Sequence, residues 1–321
     1  MNQNNFCEAI LQDVVVTGGA GFIGSHLIES LIKKNVKVLV VDDFSNGLKK
    51  NLEPYLDEIE IITFDISKSD WSTLDSYKPD TIFHLATHPR SFSLKDPQRN
   101  LDVNVRGTLN LLEFAKRKNS KVIYTSNSGI CGDPQFFPVT EDHPIDCKTP
   151  YDANKLVGEL YAKIYFKIYG VYTVIFRLAT VYGERQIVNE KLGWRPLIAT
   201  LVKTLESGET PEIQWDGKQT RDLIYVKDVV ECLILGAESK DQGGEMFLLS
   251  TNTETSVNKA YELICKISEK NLRPQYTKKN PGDLRRMVLS YAKANQAFSF
   301  KPKISLEEGI RRYIAWYRNN R

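Results

Sequence analysis

The chain has 321 residues, 41% of them apolar, which is enough for one large or two smaller domains around a substantial core. With 43 basic and 40 acidic residues its formal charge is +3, so charge gives no reason to expect a nucleic-acid or membrane partner. Five scattered cysteines (Cys7, Cys131, Cys147, Cys232 and Cys265), a polar N-terminal segment and no apolar run near ~20 residues predict a cytoplasmic protein without a disulfide framework, a metal site, a signal peptide or a membrane span.

From residue 13 to 178, short β-branched runs alternate with longer amphipathic stretches. Residues 14–17, 36–41, 59–64, 81–85, 122–126 and 172–178 read as strands, and 22–34, 100–118 and 151–169 as helices. Nearly continuous apolar strands alternating with helices predict a doubly wound parallel sheet, the Rossmann α/β architecture. Beyond Leu178 the pattern loosens: a polar stretch (182–195), a helix (196–207), a turn-rich strand pair around Asp216-Gly217, and a helix from Asp228. Ser305-Leu306-Glu307-Glu308 has the form of a capping box and opens a terminal helix with Ile310, Ile314 and Trp316 on its apolar side. The expected division is a dinucleotide-binding domain over 1–179 and a smaller α/β substrate-binding region over 180–321, partly interleaved with the first.

The first strand runs directly into Gly18-Gly19-Ala20-Gly21-Phe22-Ile23-Gly24 and then a helix. In that context the glycines allow a tight turn, a close approach of backbone to a pyrophosphate, and close packing of helix on sheet. The second strand ends at Asp42, where a carboxylate accepts hydrogen bonds from both hydroxyls of an adenosine ribose and repels an extra phosphate, so NAD is the expected cofactor. Asp65, at the end of the third strand, is placed to meet the adenine amino group.

Tyr151 and Lys155 stand four apart, on one face of a helix. Alone such a pair is ordinary surface decoration; downstream of a dinucleotide loop it reads as a proton-transfer pair. A free phenol with a pKa near ~10 is a poor base at neutral pH. One positive charge ~5 Å away at an effective dielectric of ~20 favours the phenolate by on the order of 3 kcal/mol. Lys155, aided by a cationic nicotinamide ring, is therefore expected to bring Tyr151 down toward a working range.

These motifs, with Val41-Asp42-Asp43-Phe44-Ser45-Asn46-Gly47, Phe83-His84-Leu85-Ala86, Asn104-Val105-Arg106-Gly107-Thr108, Val181-Tyr182-Gly183 and Gln219-Thr220-Arg221-Asp222, resemble the extended short-chain dehydrogenase/reductase family over nearly the whole chain. The likeness is greatest to its nucleotide-sugar epimerases and dehydratases, the UDP-glucose 4-epimerase-like branch. The resemblance implies cofactor contacts at Gly18, Gly21, Phe22, Ile23 and Gly24, at Asp42, Asp43 and Asn46, at Asp65 and Ile66, and at Leu85, Ala86, Thr87 and Asn104, besides Tyr151 and Lys155. It also implies a Ser or Thr where this chain has Asn127; an amide can donate to a sugar oxygen but cannot relay a proton. Ser126 and Ser128 are the alternative hydroxyls, although strand alternation would turn them away from the side that Asn127 faces.

On the substrate side the resemblance assigns the diphosphate to Arg221 and a sugar-linked phosphate contact to Thr180. Asn280 stands where relatives place a second arginine, with Arg285 or Arg286 as possible compensation. Arg90 and His88 follow the fourth strand, near the expected nicotinamide end, and Trp194 or Trp215 would wall the sugar pocket. Similar dehydratases carry Asp-Glu where this chain has Ser128-Gly129, and similar decarboxylases carry Glu at the second place. Without those carboxylates, elimination and decarboxylation lack a local proton carrier. The resemblance thus favours an NAD-dependent epimerase of a nucleoside-diphosphate sugar, at carbon 4 of a UDP-hexose. The competing readings are a 4,6-dehydratase or dehydrogenase, and an NAD-bound binding or regulatory protein without turnover. A homodimer is expected, through helices 100–118 and 151–169, because Tyr161, Tyr165, Phe166 and Tyr169 exceed what one sheet contact requires.

Overall fold

The computed structural model describes residues 11–68, 70–190, 194–279 and 282–320; Cys7, Asn280 and most of the N-terminal segment lie outside them. The chain opens with β1 (Asp13–Thr17), α1 (Phe22–Ile32), β2 (Lys37–Asp42), β3 (Ile59–Thr63) and β4 (Thr81–His84). Then follow α2 (Arg90–Ser93), α3 (Pro97–Leu101), α4 (Gly107–Lys118), β5 (Lys121–Asn127), α5 (Pro150–Tyr169) and β6 (Thr173–Leu178). A π-helical turn at Asp102–Arg106 joins α3 to α4, so the helix expected to start at residue 100 begins at Pro97, behind an N-cap in which Asp96 accepts from the Arg99 N–H.

The second half contributes β7 (Thr180–Tyr182), α6 (Leu197–Ser207), β8 (Glu212–Gln214), β9 (Thr220–Tyr225), α7 (Val226–Glu238) and β10 (Met246–Leu249). It closes with β11 (Glu254–Ser256), α8 (Val257–Ser268), β12 (Gln275–Thr277), α9 (Ala292–Phe298) and α10 (Leu306–Asn319). At the start of α10 the Ser305 hydroxyl accepts from the Glu308 N–H, but Glu308 turns to Arg312 instead of back to Ser305, so only half of the capping box forms.

Seven strands make one fully parallel sheet in the order β10-β6-β5-β4-β1-β2-β3. The seventh strand comes from the C-terminal half: Met246–Leu249 returns to pair with Ile175–Leu178 of β6. Strand order reverses between β1 and β4, which opens a crevice at the carboxyl ends of those strands. The pairing expected around Asp216-Gly217 does not form. Strand β8 pairs with β12, and β9 pairs with β11 and β7, because the chain between β8 and β9 carries each to a different partner. Two apolar clusters cover the two faces of the large sheet, one including Leu27, Phe176 and Val229 and the other Leu39, Phe114 and Tyr165; a third, with Val202, Ile264 and Tyr313, holds the smaller half together. Among the described residues no helix is long and apolar enough to cross a membrane.

Helix α5 positions the site, and its ends follow from sequence. The Thr149 hydroxyl caps the Asp152 N–H, Pro150 fits the first turn, and Gly170 closes the helix in a left-handed conformation (φ 73°). Its buried stripe is unusual in carrying three charges, Asp152, Lys155 and Glu159, beside Gly158, Ala162 and Tyr165. Each needs compensation in the interior. Glu159 meets Arg177 of β6 in a two-pronged ion pair, Nε–Oε1 2.8 Å and Nη2–Oε2 2.7 Å. The Lys155 ammonium lies 4.3 Å from the centre of the Tyr124 ring, and Asp152 pairs with Arg90 at 3.5 Å.

Candidate functional site

One cavity of about 620 Å³ runs from the glycine turn, past Tyr151 and Lys155, to Arg221 in the second half of the chain. At its first end the backbone must pass within contact of itself. A Cβ on Gly18 (φ 73°) would stand 2.6 Å from the Ala86 nitrogen, and one on Gly24 would stand 2.3 Å from the Gly18 carbonyl oxygen. Helix α1 then starts without a side-chain cap or an acidic residue in its first turn, which leaves its leading N–H groups for an anion. Gly21, Phe22, Ile23 and Gly24 all line the cavity there.

Asp42, Asp43, Asn46, Asp65 and Ile66 line the same end. Asp42 is buried; its carboxylate accepts from the Ala20 N–H at 2.9 Å and the Phe44 N–H at 2.8 Å, and burial raises its pKa. Asp65 has both oxygens engaged, by Ser67 and by Arg99 at 2.9 Å, so it holds Arg99 as well as facing the cavity. Arg99, which the sequence reading passed over, is the cation at this end and is held by Asp43 as well as Asp65.

Leu85, Ala86 and Thr87 line the middle of the cavity. Asn104 does not, contrary to expectation. It is buried on the π-helical turn, where Oδ1 accepts from the Thr87 hydroxyl and the His88 N–H while Nδ2 donates to the His88 carbonyl. Three of the four hydrogen-bonding positions of its amide go to the strand-end segment, which it props from behind.

Tyr151, Lys155, Ser126, Asn127 and Ser128 come together on the cavity wall. All three of the β5-end residues line the cavity; β5 ends at Asn127 and the chain enters a single 3-10 turn at Ser128–Cys131, so strand alternation does not extend to Ser128. The Ser126 hydroxyl and the Asn127 Nδ2 have no partner among the described residues. Burial raises the Tyr151 phenol to about 12, although the Thr87 hydroxyl and Arg90 act in the other direction. Burial lowers Lys155 to about 7, against the pull of Glu159. The drop in Tyr151 expected from Lys155 is therefore not realised by the protein alone, because the lysine is itself desolvated and sits over Tyr124.

Thr180, Arg90, Arg221 and Trp194 line the far end. The Arg221 guanidinium donates to the Thr220 and Leu284 carbonyls and lies 3.9 Å from Asp283. Arg285 is a correction: it forms a two-pronged pair with Asp216 (2.8 and 3.1 Å), stacks on Trp215, and stays outside the cavity with that tryptophan. Arg286 is likewise held elsewhere, by Glu254. His88 lines the cavity with Nδ1 facing the Asn100 amide, and burial lowers its pKa.

The chain is similar over its length to proteins of described activity. It is 34% identical to a UDP-glucose 4-epimerase of Mycolicibacterium smegmatis, over 95% of this chain and 98% of that one. Among solved structures it superposes on the UDP-glucose 4-epimerase of Thermotoga maritima with UDP-glucose (TM-score 0.91, 32% identity, 96% of this chain and 99% of that one). The UDP-N-acetylglucosamine 4-epimerase of Methanobrevibacter ruminantium, in complex with UDP-N-acetylmuramic acid, fits equally well (TM-score 0.91, 32% identity, 98% of this chain and all of that one). With its residues 14–249 matching the family's own sequence pattern, the chain belongs to the NAD dependent epimerase/dehydratase family.

Proposed function

We propose that this protein is an NAD-dependent epimerase acting at carbon 4 of a UDP-hexose through a transient 4-keto sugar. The observation that carries the reading is the single cavity that joins the glycine turn, the Tyr151–Lys155 pair and Arg221, with no carboxylate at Ser128 or Gly129. The relatives that bind or act on UDP-sugars support the choice of substrate. In this reading 1–179 carries the cofactor and 180–321 the sugar nucleotide, with β10 crossing back into the first sheet.

The residues present fit NAD. The uncapped start of α1 and the open approach at Gly21, where an added Cβ would meet only the Gly18 oxygen at 3.1 Å, suit a pyrophosphate. Asp42 would take the adenosine ribose, and Lys155 the nicotinamide ribose. When bound, NAD supplies a hydride acceptor that takes the hydrogen of carbon 4 and gives it back. Tyr151 Oη accepts the carbon 4 hydroxyl proton and later returns it. Asn127 Nδ2, unpartnered among the described residues, donates to the sugar oxygen and holds it beside Tyr151. Arg221 binds the diphosphate through its remaining donors, and Thr180 and Trp194 shape the sugar end. Four described cysteines are free thiols, which suits the cytoplasm.

The test is incubation of the purified protein with UDP-glucose or UDP-galactose, followed by proton NMR with no NAD added. Interconversion of the two sugars is the expected result. Loss of water from the sugar would identify a dehydratase, sugar oxidation only in a parallel incubation supplied with NAD and consuming it a dehydrogenase, and silence with every UDP-hexose a binding protein.

Asp42→Ala is expected to relax the preference for NAD over NADP, because Arg99 is already neutralised by Asp43 and Asp65 and Asp42 supplies the repulsion. It should also lower the melting temperature by a few degrees, since the Ala20 and Phe44 N–H groups lose a buried acceptor, at about 1–3 kcal/mol. Binding titrations with an unchanged preference would remove Asp42 from the cofactor assignment.

A homodimer through α4 and α5 is part of the same proposal. Tyr165, expected on the dimer face, is in the core, while Phe166 lies against Gly243 and Gly244 with 38% of its surface still exposed. The exposed apolar stripe is instead Leu160, Ile164 and Ile168, at helical spacing and 47–63% exposed, with Tyr169 beside it. Light scattering at micromolar concentration should give twice the monomer mass, and Ile164→Glu should halve it.

A further inference from the structure

Asp152 directly follows Tyr151 on α5 and is fully buried. Its Oδ2 accepts from the Thr149 hydroxyl at 2.7 Å and lies 3.5 Å from Arg90 Nη2. Its Oδ1 has no hydrogen-bond partner among the described residues. That oxygen faces Gly129 on the cavity wall: a Cβ there would stand 2.6 Å from Asp152 Oδ1 and 2.6 Å from Asn127 Oδ1. Arg90 comes from the segment after β4. Its Nη2 also donates to the Gly282 carbonyl at 3.0 Å, and its Nε has no partner among the described residues. The loop that supplies Leu284 and Met287 to the cavity therefore holds Arg90 against Asp152.

A neutral helix cap would need only Thr149. A buried carboxylate with one bare oxygen, next in sequence to the candidate base, is costly to keep for fold alone. We propose that Arg90 and Asp152 are paired positioning residues that set the charge felt by the Tyr151 phenol from opposite directions, Arg90 favouring the phenolate and Asp152 restraining it. The proposal rests on Tyr151 being the base.

The titratable and charged groups around this wall come from several elements. On α5 these are Asp152, Lys155 and, a turn further, Glu159; from the β4–α2 segment, Thr87, His88 and Arg90. The end of β5 brings Ser126, Asn127 and Ser128, with Tyr124 behind them. The loop before α5 brings Cys147 and Thr149 against Asp152, and the C-terminal half brings Arg221 with Asp283. Of the ionic groups, Asp152 raises the phenol's pKa and Arg90 lowers it. A base must be ionised, so kcat rises as pH climbs through that pKa; lowering it moves the rise to lower pH.

The experiment compares Asp152→Asn, Arg90→Gln, Arg90→Lys and the double variant Asp152→Asn/Arg90→Gln. The readouts are the pH profile of kcat at saturating UDP-hexose and the 13C NMR titration of tyrosine Cζ, with the Tyr151 signal identified by its loss in Tyr151→Phe. Asp152→Asn is expected to move the acid limb to lower pH by about one unit, and Arg90→Gln to higher pH by about one unit. The double variant and Arg90→Lys should return close to the unaltered protein. Shifts in the same direction, or none, overturn the proposal. If Asp152→Asn does not fold, Arg90→Gln against Arg90→Lys decides, and an unmoved limb in Arg90→Gln is fatal. Absence of turnover in the unaltered protein defeats the base assignment instead, and the NMR titration still judges the charge pair.

Discussion

Tyr151→Phe is expected to lower turnover by at least ~10²–10⁴-fold, the contribution of a positioned general base, with the fold and NAD retention unchanged. The variant deletes only the ionisable oxygen, and its neighbour Thr87 keeps its bond to Asn104. The protein by itself raises the phenol to about 12, chiefly by burial, so without bound cofactor it is held protonated at pH 7. Activity then depends on the positive charge that loading with oxidised cofactor brings to the site. Retained NAD, released by denaturation and quantified, should match the unaltered protein, while sugar interconversion measured by NMR disappears. More than a few per cent residual activity would remove Tyr151 from the role of base.

Lys155→Met is expected to pull function and stability apart. Turnover and NAD retention should both fall, each by more than tenfold, because one ammonium serves the phenol and the ribose. The cofactor-free protein should nevertheless melt several degrees higher at pH 6. Lys155 has a folded pKa of about 7 against an ordinary value of 10.5. Between those values the unfolded chain binds a proton that the folded chain has released, so stability falls as pH drops from 10.5 to 7 and stays low below that. Met removes the desolvated charge and keeps the length, so its gain should be greatest at pH 6 and vanish above pH 10.5. A lower melting temperature at pH 6 would mean that the contact with the Tyr124 ring compensates for the burial of the charge.

The cofactor end was legible because its signals are local. A continuous apolar strand, a glycine turn and a helix start follow one another within residues 13–32, and strands β1 to β6 fall within a residue or two of the apolar runs. The candidate base and its lysine were legible because four-residue spacing on a helix is a short-range fact. What escaped depends on partners far along the chain. Arg285 looked available until Asp216, 69 residues earlier, proved to hold it. Asp152 reads as an ordinary helix carboxylate, and only the fold brings Arg90 to it, 62 residues away. Asn104 sits in a motif shared with cofactor contacts, yet both acceptor positions of its amide are taken by His88 and Thr87. Strand β10 was missed because Met246–Leu249 is only four apolar residues, too short for periodicity to tell a strand from a piece of buried helix.

The late arrival of β10 also governs how the protein can be made. When synthesis has passed Leu178, six strands are ready to associate, and β6 is the open edge of the sheet, with Val174 and Phe176 destined for a core that α7 and α9 have yet to close. That edge stays unpaired until the ribosome has extruded Leu249. A nascent or truncated chain ending between those points presents a hydrophobic strand template to other chains. Fragments cut at the apparent midpoint should therefore aggregate, and chaperone protection during translation matters most over that interval.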